Sequence, residues 1–253
     1  MFIEERLTRI LRLLKEENRV TVREVSENLQ VSEDTIRRDF SRLAERGLVL
    51  RTHGGIMSRE SVALDPGMHE KSVQHRDEKE AIARKAADLV AHGEIIVLDA
   101  GTTTERVVKH LAEKQNLTIL TDALNIAMEA TRRSIPTVIL GGIIRNSTLC
   151  ITGPDAVEMI RHYHTDKLIM GVSAISTSRG LMTANRMEAE IKKELIKTAS
   201  QVIVVADHSK LQMPGFYTFA SLKDLSILVT DKGANPDLVK ELQDGGVRVL
   251  LAD

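Results

Sequence analysis

Apolar residues recur every three or four positions from residue 3 to residue 43, and from residue 95 onward they come instead in short continuous runs. Ile3, Leu7, Ile10, Leu11 and Leu14 form the stripe of a first helix. Arg19-Val20 breaks that period. Thr21-x-x-Glu24 then has the form of a capping box: the hydroxyl takes the Glu24 amide and the Glu24 carboxylate returns to Thr21. Val22, Val25 and Leu29 face inward on the second helix, Gln30-Val31 turns the chain, and Ser32 caps a third helix whose buried face is Ile36, Phe40 and Leu43. Gly47 stops it. The stretch Leu48 to Ile56 is β-like and closes in Gly54-Gly55, as a hairpin wing does.

The later runs are Ile95–Leu98, Leu117–Leu120, Thr137–Leu140, Leu168–Met170, Val202–Val205, Ile227–Val229 and Val247–Leu251. Most are separated by segments of helical period, such as Arg106 to Leu111 and Glu190 to Ile196. Continuous apolar strands with helical crossovers predict a mainly parallel sheet covered on both faces, hence an α/β domain. Between the two patterns, Ser58, Ser61 and Asp65-Pro66-Gly67 sit in a charged stretch without period. The expected organisation is therefore a winged helix-turn-helix at 1–57, a linker at 58–78 and an α/β domain at 79–253.

Composition narrows the setting. A chain of 253 residues that is 42% hydrophobic can bury real cores, and no apolar run approaches the roughly 18 residues of a membrane span. Acids stand near the N-terminus where a signal peptide needs bases, so a cytoplasmic protein with no membrane association is expected. Cys150 is the single cysteine, which excludes an intrachain disulfide and argues against a cysteine-based metal site. A net charge of −1 gives the whole chain no basic signature, so any DNA binding must come from local arginines.

Those arginines are local. A helix-turn-helix puts a helix N-terminus into the major groove. The inward positions of the third helix leave Glu33, Thr35, Arg37, Arg38 and Arg42 for solvent or DNA, with Ser32 at its start. The guanidinium fork takes a guanine edge or a phosphate bidentately. With Thr21 at the preceding helix and Arg51 and His53 in the wing, these residues are the candidate DNA face. His53 has no cysteine or second histidine nearby and reads as a wing or packing residue rather than a metal ligand.

Ligands of parallel α/β sheets sit at the carboxyl ends of the strands. Here those ends are Asp99 to Glu105 with Gly101-Thr102-Thr103-Thr104, Thr121-Asp122, Gly141-Gly142, and Ala206-Asp207-His208-Ser209-Lys210. A glycine and three hydroxyls at a helix start offer amides and side-chain donors to an anion. Taken singly, Gly-Thr-Thr-Thr can be a helix cap, Gly141-Gly142 a turn, and Asp207 with Lys210 a surface ion pair. Together they suit a phosphorylated polyol. The absence of G-x-G-x-x-G and of a P-loop lysine argues against a nucleotide cofactor, and no cofactor or metal is expected.

Ser32-x-x-Thr35-Ile36-Arg37-Arg38-Asp39, Leu43, Gly47-Leu48 and Arg51-x-His53-Gly54-Gly55 together resemble the winged helix-turn-helix of DeoR-type bacterial transcription regulators. The resemblance runs to the C-terminus through Gly101-Thr102-Thr103, Gly141-Gly142, Gly153, the Gly180 to Lys192 segment with Glu188, and Ala206-Asp207-x-Ser209-Lys210. It implies a sensor domain similar in fold to ribose-5-phosphate isomerase. It also implies that Gly101 to Thr104 hold a phosphate, with Lys79 a further candidate, and that Asp99, Asp207 and Lys210 meet the sugar hydroxyls. The family usually has Asn where this chain has Asp122; a second negative charge is unfavourable beside a phosphate, which turns Asp122 toward the polyol end.

The expected function is a DNA-binding regulator, most readily a repressor of a sugar or polyol catabolic operon controlled by a phosphorylated metabolite. The alternative from another class is a sugar-phosphate isomerase using Asp207 and Lys210 for proton transfer, in which the winged unit would be superfluous. One small winged unit in a near-neutral chain makes few phosphate contacts, so a homodimer or homotetramer on repeated half-sites is expected.

Overall fold

The computed structural model describes residues 3–17, 19–52, 54–58, 67–211, 213 and 215–253. The chain divides into two compact units, Met1–Asp65 and Pro66–Asp253.

In the first unit α1 (Ile3–Glu17), β1 (Arg19–Thr21), α2 (Val22–Leu29) and α3 (Glu33–Glu45) precede a wing of β2 (Val49–Thr52) and β3 (Gly55–Ser58). Leu7, Ile10 and Leu14 from α1, Val25 from α2, Ile36, Phe40 and Leu43 from α3, and Val49 and Ile56 from the wing make one core. Ile3 departs from its expected stripe: it sits on the first turn of α1 and is exposed. Both halves of the Thr21–Glu24 capping box form, at 3.2 and 2.7 Å. Gln30 takes a left-handed backbone, φ 52°, to make the turn into α3. The break at Arg19-Val20 is a strand, β1, which pairs antiparallel with β3 with Val20 opposite Ile56. Its partner is distant in sequence, so no local period announces it.

The second unit opens with α4 (Met68–Val73) and α5 (Arg76–Ala87). Both begin inside the stretch expected to be linker; their charged first turns hide the helical period. The strands then follow as β4 (Ile95–Leu98), β5 (Thr118–Thr121), β6 (Thr137–Ile139), β7 (Ile143–Arg145), β8 (Cys150–Thr152), β9 (Thr165–Gly171), β10 (Ala174–Ser176), β11 (Gly180–Thr183), β12 (Ala199–Val205), β13 (Tyr217–Ala220), β14 (Ile227–Asp231) and β15 (Arg248–Ala252). Between them lie α6 (Thr102–Lys109), α7 (Leu124–Arg132), α8 (Pro154–Ile160), α9 (Arg186–Thr198) and α10 (Pro236–Asp244).

Every one of the seven apolar runs becomes a strand of a single sheet, ordered β15-β14-β12-β9-β4-β5-β6 and parallel throughout. The runs are continuous because alternate residues serve two cores. Ile96, Leu98, Ile119, Ile169 and Ile203 pack with Ile82 of α5, Val107 of α6 and Ile126 of α7. Val97, Leu120, Leu168, Met170 and Val204 pack with Ile160 of α8, Leu195 of α9 and Leu242 of α10. The antiparallel β7–β8 hairpin and the β10-β11-β13 sheet are additions that the sequence did not announce.

Chain order fixes where a ligand can go. From β4 the chain moves outward to β5 and β6, then returns to place β9 against the other side of β4. The reversal opens a crevice beyond the carboxyl ends of β4 and β9, at Asp99 and Gly171.

Candidate functional site

The exposed face of α3 and the first wing strand form the candidate DNA surface. Ser32 caps α3 by accepting from the Thr35 amide at 3.4 Å, and its hydroxyl meets that of Thr35 at 2.9 Å. Arg37, Arg38, Ser41, Arg42, Glu45 and Arg51 line a shallow depression. The arginines differ in their commitments. Arg37 bonds to Glu33 at 2.6 Å and Asp34 at 3.0 Å. Arg42 approaches Asp39 at 3.8 Å, and the Arg51 guanidinium stands 5.9 Å from the Phe40 ring centroid. Arg38 is exposed and unpaired among the described residues. The Thr21 hydroxyl is engaged in its capping box, and His53 lies outside the described residues.

Behind this face Asp39 is fully buried on α3 and takes a bidentate grip from the buried Arg6 of α1, through Nε and, at 3.2 Å, through Nη2. A buried charge persists only when paired and hydrogen-bonded, so this pair locks α1 to α3.

In the second unit Asp99, Asp122, Glu188 and Lys192 are all buried at the crevice. Lys192 Nζ bonds Asp99 Oδ2 and donates to the Gly171 carbonyl at 2.9 Å, while the Gly171 amide donates to the same Asp99 oxygen at 3.1 Å. One ion pair thus ties the ends of β4 and β9 to α9. Asp99 Oδ1 is buried without a partner among the described residues. Asp122 accepts from the Ala100 amide at 3.0 Å and from the Cys150 thiol at 3.1 Å. Glu188 accepts from Thr148 at 2.8 Å and Thr183 at 3.3 Å, with Arg145 at 3.5 Å.

Burial dominates the electrostatics here. It pushes the Asp122 carboxyl up to about 7, with the Asp99 charge adding to the effect. It raises Asp99 despite Lys192 and the Gly171 amide, and it keeps the Cys150 thiol protonated as a donor. Burial alone would neutralise Lys192, but contact with Asp99, helped by Asp122 and Glu188, holds it above the ordinary lysine value.

Beside Asp99 the helix α6 begins. Gly101 is its N-cap residue and no side chain caps it; the Thr104 hydroxyl donates instead to the Gly101 carbonyl at 2.9 Å. Gly-Thr-Thr-Thr thus opens the helix without a side-chain cap. The first-turn amides lack intrahelical acceptors, and Thr102, Thr103 and Thr104 are all buried around them.

Farther along the same edge, Asp207 is buried and caps the short turn His208–Lys210, accepting from the Ser209 amide at 3.1 Å and from its hydroxyl. It makes no ion pair with Lys210 among the described residues. Lys79 of α5 is buried with its ammonium on the carbonyls of Lys71 and Gln74, at 2.5 and 2.7 Å. Burial lowers its pKa, opposed by Asp207 and reinforced by Lys210 and Arg106, which brings Lys79, Asp207 and Lys210 into one neighbourhood. Gly142, at φ +147°, would drive a Cβ to 2.7 Å from the Thr152 carbonyl, and Gly153, at φ +106°, leads into Pro154 of α8. Gly141 is exposed, its amide on Met159 Sδ at 3.3 Å.

Two groups central to this geometry, Asp39 and Lys192, were not singled out from the sequence. The signal was present: Asp39 falls between Ile36 and Leu43, and Lys192 between Glu188 and Leu195, each on the buried stripe of its helix. A charge on an apolar stripe announces a buried partner.

Residues 6–62 match the sequence model of the DeoR-like helix-turn-helix domain, and residues 74–232 match that of the DeoR C terminal sensor domain. The chain belongs to the DeoR family. This DeoR-family chain is 35% identical to the HTH-type transcriptional repressor GlcR of Bacillus subtilis over 100% of its own length and 98% of that protein's. It is 38% identical to the transcriptional repressor AccR of Agrobacterium fabrum over 91% and 90%, and 33% identical to the HTH-type transcriptional regulator GlpR of Haloferax volcanii over 99% and 98%. Among solved structures, a ribose 5-phosphate isomerase A from Methanocaldococcus jannaschii overlaps 55% of each chain at 21% identity and TM-score 0.42. The DeoR-family protein is thus a DNA-binding transcriptional regulator with a sensor domain, and the isomerase alternative falls. No helix among the described residues is long and apolar enough to cross a membrane.

Proposed function

We propose that this regulator is a repressor of a sugar or polyol catabolic operon, acting in the cytoplasm and controlled by a phosphorylated sugar or polyol. The observation that carries this reading is the start of α6, uncapped by any side chain and ringed by three buried threonines at the carboxyl mouth of the sheet. Free amides and the positive end of the helix favour an anion there. Lys192 offsets the Asp99 charge two residues before Gly101, and the unpartnered Asp99 Oδ1 is an acceptor for a hydroxyl. Lys79, Asp122, Glu188, Asp207 and Lys210 supply the remaining polar surroundings, and Gly141, Gly142 and Gly153 act through backbone shape.

A thermal-shift panel of sugar phosphates, polyol phosphates and their unphosphorylated parents identifies the effector class, and operator release in a gel shift reads the response. Thr103→Asp places a carboxylate at the proposed phosphate position. At about 4 Å and an effective dielectric near 20 the repulsion is about 4 kcal/mol, so the effector concentration for release should rise at least about a hundredfold; because Thr103 is buried, effector-free melting and operator binding are the fold control. A Thr103→Asp protein that responds at wild-type concentrations places the phosphate elsewhere.

On the DNA side Thr21, Ser32, Glu33, Thr35, Arg37, Arg38, Arg42, Arg51 and His53 are the proposed contact set, working as a homodimer or homotetramer on repeated half-sites. Arg38→Ala should weaken operator binding by about 1–3 kcal/mol if the side chain reads a base. Arg37→Ala should cost less, because its guanidinium must first leave Glu33 and Asp34. Gel shifts at fixed salt rank the two, with unchanged melting as the fold control; equal affinity of Arg38→Ala and wild type removes Arg38 from the interface.

A further inference from the structure

We propose that His75, Glu78 and His208 form a binding site for a divalent first-row transition ion, with zinc the best fit, between the start of α5 and the turn after β12. One ligand atom from each residue lies within 4.8 Å of the others. His75 Nδ1 is 3.9 Å from Glu78 Oε1, and the two imidazoles meet edge to face, centroids 4.9 Å apart at 80°. A tetrahedral zinc with ligands at about 2.0–2.2 Å needs ligand atoms about 3.4 Å apart. A bound ion has to draw the three side chains closer, and none of them is fully buried.

The surroundings have the form of a supported site. His208 Nδ1 lies 2.8 Å from Asp231 Oδ2, and Asp231 is itself fixed by the amides of His208 at 2.7 Å and Gly233 at 2.8 Å. A carboxylate beside Nδ1 orients the ring and leaves Nε2 to face a metal, the support that metal-bound histidines ordinarily have. Gly233 makes room for this pair: a Cβ there would stand 2.8 Å from His208 Nδ1 and 2.7 Å from Asp231 Oδ2.

His75 holds a left-handed backbone, φ 50°, at the N-cap of α5, yet its side chain caps nothing. On α5, Lys79 is engaged by the carbonyls of Lys71 and Gln74. Two imidazoles and a carboxylate suit zinc and its first-row neighbours rather than calcium or magnesium. Three protein ligands leave one coordination position open to water. The site rests on its own residues and stands whether or not the effector reading does. It escaped the sequence analysis, which expected no metal, because the two histidines belong to elements far apart in the chain.

The test uses the full chain, stripped with a chelator and titrated with zinc chloride by calorimetry, with cobalt absorption as the spectroscopic readout. Wild type should bind one zinc per chain with a tetrahedral cobalt spectrum. His208→Ala and His75→Gly should each weaken that component at least about a hundredfold. Asp231→Asn, a positioning change, should weaken it about 10–100-fold and alter the cobalt bands. Glycine keeps the left-handed backbone at position 75, so His75→Gly decides the matter if His208→Ala fails to fold; metal-free melting and circular dichroism report folding. Zinc held at surface pairs such as Glu158 and His162 would persist in every variant. No stoichiometric zinc on wild type, or equal affinity in wild type and His75→Gly, overturns the proposal.

Discussion

Lys192→Met should destabilise the second unit by about 3–5 kcal/mol at about pH 8, the cost of leaving a buried charge without its partner. The side chain is replaced by one of similar length, so the loss is electrostatic rather than a cavity. Three buried carboxyls, Asp99, Asp122 and Glu188, would lose the one cation buried among them. The sign of the pH dependence follows. Burial raises Asp99 and Asp122 in the folded chain above their ordinary values, Asp122 to about 7. A carboxyl raised on folding contributes stability that is complete below its unfolded pKa and is lost as pH rises through the folded value. Without Lys192 those folded values climb further, so the deficit should be largest above about pH 7 and should close toward about pH 4. For a domain of this size about 2–4 °C of melting temperature accompanies each kcal/mol. Adding Asp99→Asn should recover most of the loss at high pH. A Lys192→Met protein with wild-type melting at both pH extremes would remove the ion pair from the account of the fold.

Asp39→Ala should have the same magnitude in the first unit, about 3–5 kcal/mol, because Arg6 is then buried without its carboxylate. Operator binding should disappear although Asp39 is buried behind the exposed face of α3. The distinction from Arg38→Ala is in the melt: Asp39→Ala lowers the transition of the DNA-binding unit, whereas Arg38→Ala leaves it in place. Salt at high concentration should not rescue Asp39→Ala, since buried charges are weakly screened. Normal melting of Asp39→Ala with lost DNA binding would instead make Asp39 a contact residue.

The sheet was legible because its interior strands are buried on both faces and write continuous apolar runs, as Val202 to Val205 does. The helix-turn-helix was legible because its caps are local: Thr21 with Glu24, and Ser32 with Thr35, fall within one turn of sequence. β1, the β7–β8 hairpin and the β10-β11-β13 sheet were not: β1 pairs with β3, far along the chain, and the others are short and mix polar with apolar residues, so they write no continuous apolar run. The strand-end positions of Asp99, Asp122 and Asp207 could be read from the sequence, but not the partners of the first two. That Asp99 binds Lys192 and that Asp122 takes the Cys150 thiol are outcomes of chain crossovers, whereas the Asp207 cap of its own turn is local and was readable as an Asp-x-Ser pattern. Periodicity treats a charge as exposed by default, which is why Lys192 and Asp39 stayed hidden on their stripes.

The pairing of Arg37 with Glu33 and Asp34 has a bearing on how the regulator behaves in a changing ionic medium. A protein that neutralises phosphates displaces condensed cations from DNA, and its affinity falls with salt by about 0.9 of a log unit per log unit for each phosphate met. An arginine that carries its counter-charge on its own helix adds little to that displacement, because it trades one anion for another. Of the four arginines in the depression, Arg37 is already so neutralised, whereas the Asp39 that Arg42 approaches is taken by Arg6. Operator occupancy should therefore decline less steeply with potassium than the arginine count implies, which would shelter the regulatory state from osmotic swings.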